Sequence, residues 1–339
     1  MNPPLPATGA AQGLAVREGG PPIPVTTTGP LFIVFNLGSG SGDEARVRAA
    51  IQQACDAAGR AFELVGVDDP SQLPSLARKA VQHAQRAQGV VVAAGGDGTL
   101  NAVAQAVLGS GCAYGVLPQG TFNYFSRTHG IPADTAQAMQ VLLHASAKPA
   151  QVGLVNGRVF LVNASLGLYP KLLEDREGWK QQFGRSRLVA FTAGLATLLR
   201  GYRSLRLRIE VQGEARIVRT PTLFVGNNAL QMEQLGFPLA KDIDGGALAA
   251  IMLRPVSRLS MLALLLRGAL GTLGDADQVM SIPCVKLHVQ AARTFSPRQI
   301  KVATDGEILW LQMPLEFAVS SEPLWLIRPD APAPERAAA

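Results

Sequence analysis

Gly95-Gly96-Asp97-Gly98-Thr99-Leu100-Asn101 joins a short apolar run to a helical pattern, and the reading of that junction decides the fold. Val90 to Ala94 form a compact apolar segment, the pattern of a buried parallel strand, and Leu100, Val103, Ala104 and Val107 then recur at helical spacing. Between the two, Gly95 and Gly96 carry no Cβ, so the main chain can turn sharply and a bulky anion can approach it closely. The start of the helix aims unpaired N–H groups and its positive dipole end back at the turn. Strand, glycine turn and helix N-terminus together make a phosphate seat. Taken alone the stretch has a second reading, a tight connection in which Asp97 or Thr99 caps the helix.

Outward from this junction the first half alternates strands and helices. Leu31 to Phe35 is a compact apolar strand, and Asn36-Leu37-Gly38-Ser39-Gly40-Ser41-Gly42 opens an amphipathic helix running to about Ala58. Phe62 to Val67 is a second strand, Leu73 to Arg86 a helix, Tyr114 to Leu117 a further strand, and Thr135 to His144 a closing helix. This order predicts a doubly wound parallel α/β layer, whose ligands bind at the carboxyl ends of the strands. The loops after Phe35, Ala94 and Leu117 all fall at that end and can share one nucleotide. Two common nucleotide fingerprints fail: Asp43 stands where the last glycine of GxGxxG is needed, and no Walker A lysine follows either glycine turn.

Composition sets the class. The chain has 339 residues, enough for two medium domains, and 47% hydrophobic against 17% charged residues describes a globular, rather apolar protein. A net charge of +6 favours anionic partners without choosing among nucleic acid, membrane and phosphorylated substrate. No basic stripe interleaved with aromatics argues for nucleic acid. Cys55, Cys112 and Cys284, and His83, His129, His144 and His288, are scattered without metal-binding spacing, which suits a reducing cytoplasm. Residues 1–30 read as a flexible leader without the apolar core of a signal peptide, and residues 330–339 as a disordered Pro/Ala-rich tail.

The periodicity changes near Lys148. Strand-like runs then dominate: Gln151 to Val155, Val159 to Ala164, Leu205 to Val211, Ile217 to Val225, Ala247 to Leu253, Cys284 to Val289, Gln299 to Thr304 and Ile308 to Gln312. They predict a mainly antiparallel β domain over 148–321 after an α/β domain over 31–147. Leu188 to Leu199 and Leu259 to Leu273 are apolar and helical but too short to span a bilayer. They read either as core helices or as walls of an acyl-chain pocket. The stretch from Pro170 to Arg187 mixes basic residues with Trp179 and Phe183, as a solvated charged face does and as a helix resting on an anionic membrane does.

GGDGTLN followed by Leu117-Pro118-Gln119-Gly120-Thr121-Phe122-Asn123 resembles the catalytic domain of the diacylglycerol kinase family, which includes sphingosine and ceramide kinases and soluble bacterial lipid kinases. The resemblance runs from about Leu31 to Pro329 and implies that 322–329 returns to the first domain. It also implies an enzyme using ATP and Mg2+ to phosphorylate a lipid hydroxyl, cytoplasmic or peripheral at the inner membrane face. By the same resemblance Asn36, Ser39 and Gly40 match a first phosphate loop, with Leu37 where the family usually has proline. Gly95, Gly96, Asp97, Gly98, Thr99, Leu100 and Asn101, with Gly120, Thr121 and Asn123, match the nucleotide contacts.

Phosphoryl transfer to a hydroxyl needs a phosphate cradle, a divalent metal and a carboxylate to take the proton. Asp97 beside phosphates is plausible only with a cation or ordered water between them, so it reads as metal-linked or as a helix cap. Thr304-Asp305-Gly306-Glu307 reads on its own as a β-hairpin turn. The family places its catalytic carboxylate in such a turn, so the resemblance makes Glu307 the proton acceptor and Asp305 its essential neighbour. The family's structural magnesium maps to Asp244, with Lys241 and Gly246 as backbone ligands, although the spacing after Asp244 is shifted. The chain also departs from the family's Gly-Thr-x-Asn-Asp, reading Gly120-Thr121-Phe122-Asn123-Tyr124 and losing an acidic residue. NAD kinases share the glycine turn, and a lipid-binding protein of the same fold without turnover is the non-enzymatic alternative. An α/β-hydrolase is disfavoured because no GxSxG occurs in frame.

Overall fold

The computed structural model describes residues 25–36, 44–168, 170, 171, 173, 204–257, 260, 261, 263, 264, 267, 272–292 and 298–330. Leu188 to Leu199, Ser39, Gly40 and most of the stretches 170–187 and 259–273 lie outside the described residues.

The first half builds the layer that the alternating pattern predicts. Strands β1 (Leu31–Asn36), β2 (Phe62–Val67), β3 (Val90–Gly95) and β4 (Ala113–Pro118) pair in parallel in the order β2-β1-β3-β4. The inner strands β3 and β4 are buried along their whole length, which is why they read as unbroken apolar runs. Helices α1 (Glu44–Ala57) and α5 (Thr135–His144) pack together, as do α2 (Leu73–Ala87) and α3 (Asp97–Val107), while α4 (Tyr124–Thr128) is a single turn after β4. The strand order reverses between β1 and β3, so their carboxyl ends, Asn36 and Gly95, flank the crevice where such layers take ligands.

β5 (Ala147–Ala150) pairs antiparallel with β18 (Leu324–Ile327), and β18 pairs parallel with β4, so the end of the described chain closes this first sheet. Lys148 therefore still belongs to the first layer, and the change of sheet comes at β6 (Gly153–Val155).

The second half is a sandwich of two antiparallel six-stranded sheets. One holds β10 (Glu214–Thr220), β9 (Leu205–Val211), β14 (Lys286–Ala291), β17 (Leu315–Val319), β6 and β7 (Arg158–Phe160) in that order. The other holds β13 (Val279–Cys284), β12 (Leu248–Leu253), β11 (Thr222–Gly226), β8 (Asn163–Gly167), β15 (Gln299–Thr304) and β16 (Glu307–Gln312). Leu207, Ile209, Leu287 and Phe317 from the first sheet meet Leu166, Val225, Ala250 and Val302 from the second in one core. Short helices α6 (Ala229–Gln234) and α7 (Ala240–Asp244) cover the outer face of the second sheet at Phe224, Ala249 and Ile251.

Three predicted strands are each divided. Val159 to Ala164 breaks at Leu161-Val162, where the backbone N–H groups turn to the Asp305 carboxylate. Ile217 to Val225 breaks at Pro221, which has no N–H for a ladder and whose carbonyl accepts from Leu168 N. Cys284 to Val289 divides between β13 and β14.

Leu326 is fully buried where β18 joins the two halves of the first sheet's edge. Leu326→Ala is expected to cost about 2–5 kcal/mol in chemical denaturation, and a cost near that of a surface substitution would mean β18 is not part of this core.

Candidate active site

The glycine turn and the loop after β4 are in contact. Gln119 N–H donates to Gly95 O at 2.9 Å, and a Cβ on Gly120 would stand 2.9 Å from Gly96 Cα. Only two glycines allow backbones this close. Asn123, with φ 48 in the left-handed region that Asn tolerates, locks the loop: Gly120 N–H donates to its Oδ1 at 3.0 Å, and its Nδ2 donates to Gly120 O at 2.8 Å. Thr121 and Phe122 are left exposed on the same turn, and the Phe122 ring stacks on Tyr124. Asn36, at the end of β1, donates its amide to Thr99 Oγ1 at 2.9 Å. The ends of β1, β3 and β4 thus converge around the first turn of α3.

Asp97 opens α3, but Gly96 is the N-cap and makes no side-chain cap bond, so the helix-cap reading does not describe Asp97. Its carboxylate instead faces the start of α4. Burial raises its pKa, opposed by the backbone N–H groups of Phe125, Tyr124 and Asn123. Asp97 Oδ1 is buried and has no hydrogen-bond partner.

Glu307 comes to the same turn from the other domain. Its Oε1 would stand 2.9 Å from a Cβ on Gly98, so the carboxylate lies over the N-terminal turn of α3. The residue is exposed as a whole, while partial desolvation beside the α3 turn raises the pKa of its carboxyl.

Asp305 holds this arrangement. Asp305 and Gly306 have φ 47 and 90, the two positive values of a two-residue hairpin turn between β15 and β16. The Asp305 carboxylate accepts from the backbone N–H of Leu161 at 2.7 Å, of Val162 and Asn163 at 2.9 Å each, and from Asn101 Nδ2 at 2.6 Å. Burial pushes its carboxyl up to about 6 against the pull of these donors. At neutral pH it is therefore ionised, the form that four N–H donors require.

Two residues of the glycine stretch do not offer groups to the crevice. Leu100 has its side chain in the core and its N–H on Gly96 O. Asn101 is engaged across the domain boundary, donating to Asp305 and to Val159 O at 2.8 Å. One turn on, Gln105 Oε1 accepts from Val159 N–H at 2.8 Å, so α3 covers the free edge of β7. Spacing alone hid this role, because the partners lie 58 and 204 residues away.

Asp244 and Gly246 line a cavity of about 410 Å³ beside His129, Gln151, Asn227, Asn228 and Arg328. Lys241 O already accepts from Gly245 N–H, Gly246 N–H donates to Ile243 O, and among the described residues no three His, Cys, Asp or Glu side chains converge. Asp244 puts one carboxylate on this cavity, and the assignment of Asp244, Lys241 and Gly246 as metal ligands remains a proposal from the resemblance. Asp97 also fits, because magnesium in nucleotide sites binds through one or two carboxylates together with phosphates, and its Oδ1 is buried without a partner.

An α/β layer whose strand ends meet in a glycine-lined crevice, faced by an acidic hairpin from a β sandwich, defines a two-domain architecture. Residues 30–155 match the model of the diacylglycerol kinase catalytic domain, and residues 180–328 that of the YegS C-terminal NAD kinase beta sandwich-like domain. The chain belongs to the diacylglycerol kinase catalytic-domain family. It is 43% identical over 99 residues to a Pseudomonas aeruginosa protein named "Probable lipid kinase YegS-like", covering 28% of this chain and 32% of that one. It is 35% identical over 121 residues to the diacylglycerol kinase of Bacillus subtilis, covering 34% of this chain and 40% of that one. The chain thus spans about a third of the length of the curated relatives it matches. A crystal structure of a diacylglycerol kinase from Bacillus anthracis superposes with TM-score 0.63 at 18% identity, over 89% of this chain and 97% of that one, a likeness of fold.

Asp305→Ala strands four donors at once and is expected to cost at least about 3 kcal/mol. Asp305→Asn, which keeps one acceptor oxygen and tolerates the positive φ, should cost less. Denaturation curves that rank the two variants equally would contradict the clamp.

Proposed function

We propose that the protein is an ATP-dependent kinase that transfers the γ-phosphoryl group to the hydroxyl of a lipid, diacylglycerol-like or sphingoid. The observation that carries this reading is the Glu307 carboxylate over the first turn of α3, with its oxygen 2.9 Å from where a Gly98 Cβ would be. A candidate base and a phosphate seat then face each other from two domains. The names printed for the relatives support the lipid class of acceptor.

In this reading the loops Gly95–Thr99 and Gly120–Asn123 hold the phosphates with backbone N–H groups and the helix dipole. Asn36 fixes the Thr99 hydroxyl as a donor or acceptor at the crevice. The lipid hydroxyl gives its proton to Glu307, its oxygen bonds to the γ-phosphorus, and the bond from that phosphorus to the ADP oxygen breaks. Burial makes Glu307 a stronger base than an ordinary glutamate. Asp305 touches neither reactant and acts by holding the hairpin. Magnesium, when bound with the nucleotide, supplies positive charge against the phosphates, and the buried Asp97 Oδ1 is the oxygen that would hold it. The lipid acceptor, the cytoplasmic setting with peripheral contact at an anionic membrane, and a part in phospholipid synthesis belong to the same proposal. No helix among the described residues is long and apolar enough to cross a membrane.

The test is ATP turnover against diacylglycerol, sphingoid and phosphatidylglycerol acceptors. Glu307→Gln is expected to lower kcat by about 10²–10⁴-fold with little change in the affinity for ATP. Full activity in that variant would remove Glu307 as the base, and activity confined to NAD would select an NAD kinase. Because a base must be deprotonated, kcat/KM should fall as pH drops through the raised Glu307 pKa, with the acid limb above the ordinary glutamate range.

Gly98→Ala gives a separate check. Its new Cβ meets only the flexible end of Glu307, so stability should change by no more than about 1 kcal/mol. Turnover should nonetheless fall, because the carboxylate is pushed aside. A variant as active as the parent would show that Glu307 need not lie where it does.

A further inference from the structure

The outer face of β9 and β10 carries an arrangement that sheet stability does not explain. Register pairs Arg206 with Arg219, Arg208 with Ile217 and Glu210 with Ala215, all on the face turned away from the sandwich core. Leu207 and Ile209, which alternate with these arginines, are buried in that core. Arg206, Arg208 and Arg219 are exposed, and Ile217, 55% exposed, stands among them. Like charges directly opposite one another weaken a strand pair. Among the described residues no carboxylate forms an ion pair with any of the three. The middle of the same face is balanced instead, with Glu316 bridging Lys286 at 3.0 Å and His288 at 3.5 Å.

We propose that this face docks the protein on an anionic lipid bilayer, the three arginines meeting the headgroups and Ile217 entering between them. The inference rests on the lipid-kinase reading. Charge complementarity names the occupant: a flat, cationic sheet face around one exposed aliphatic side chain suits a surface with dense anionic headgroups over hydrocarbon. A nucleic-acid strand would find no exposed aromatic ring on this face for its bases.

The face is set apart from the acidic hairpin. β8 begins at Asn163, whose N–H is bonded to Asp305, and ends at Gly167, where a Cβ would stand 2.3 Å from Pro221 O and 3.1 Å from Leu205 Cδ1. The roots of β9 and β10 therefore lie at the far end of β8 from the acidic hairpin, about 13 Å along the strand at 3.3 Å per residue.

The test is sedimentation of the full chain with phosphatidylserine-rich vesicles and with phosphatidylcholine vesicles. The parent is expected to bind the anionic vesicles and to be released by salt. The variant Arg206→Gln/Arg208→Gln/Arg219→Gln is expected to bind about a hundredfold more weakly, at about fivefold per charge, and Ile217→Ser more weakly at high salt. Lys286→Gln, in the paired middle, is expected to bind as the parent does. Circular dichroism and melting curves should match the parent for every variant, and turnover of a short-chain, water-soluble acceptor should be unchanged. Equal vesicle binding by the triple variant would overturn the assignment, as would tighter binding of the parent to DNA at equal phosphate concentration. Loss of binding in a protein that phosphorylates no lipid would uphold the docking face and sink the kinase reading alone.

Discussion

One carboxylate holds the two halves of the molecule in register. The Asp305 carboxylate accepts from the N–H groups of Leu161, Val162 and Asn163, and the amide of Asn101 reaches it from α3. Two of these donors come from the break between β7 and β8, the third is the first residue of β8, and the fourth comes from the helix that begins at the glycine turn. A buried carboxylate without partners would destabilise the fold strongly, whereas one with four donors fixes the geometry of everything bonded to it. Glu307, two residues on, inherits that fixed position.

The consequence is a coupling between domains carried by α3. Its first turn carries the glycine stretch, and its second and third turns hold the edge of β7 through Asn101 and Gln105. A group bound at the N-terminus of α3 is therefore connected to the acidic hairpin by a rigid helix and two hydrogen-bonded side chains, with no flexible linker between. The close approach of Gly96 and Gly120 serves the same geometry from the other side, keeping the loop after β4 against the glycine turn.

Much of this was legible in the chain. The apolar runs at Val90 to Ala94 and Tyr114 to Leu117 announced buried parallel strands, and the glycine turn announced the junction of β3 with α3. Asp305-Gly306 announced its hairpin, because few residue pairs accept two successive positive φ angles. What stayed hidden depends on partners far away in sequence. The break at Leu161-Val162 is invisible locally, since both residues favour strands and only Asp305, 144 and 143 positions later, turns their N–H groups aside. Asn101 looked like part of the nucleotide loop for the same reason. The magnesium ligands proposed around Asp244 came from likeness alone.

The central claim is that the contact between Asn101 and Asp305 ties helix α3 to the acidic hairpin. A double-mutant cycle of Asn101→Ala and Asp305→Asn, read by equilibrium denaturation, measures it directly. The account predicts a coupling energy of about 1–3 kcal/mol, as residues in one buried network show. Costs that simply add, to within about 0.5 kcal/mol, would contradict it.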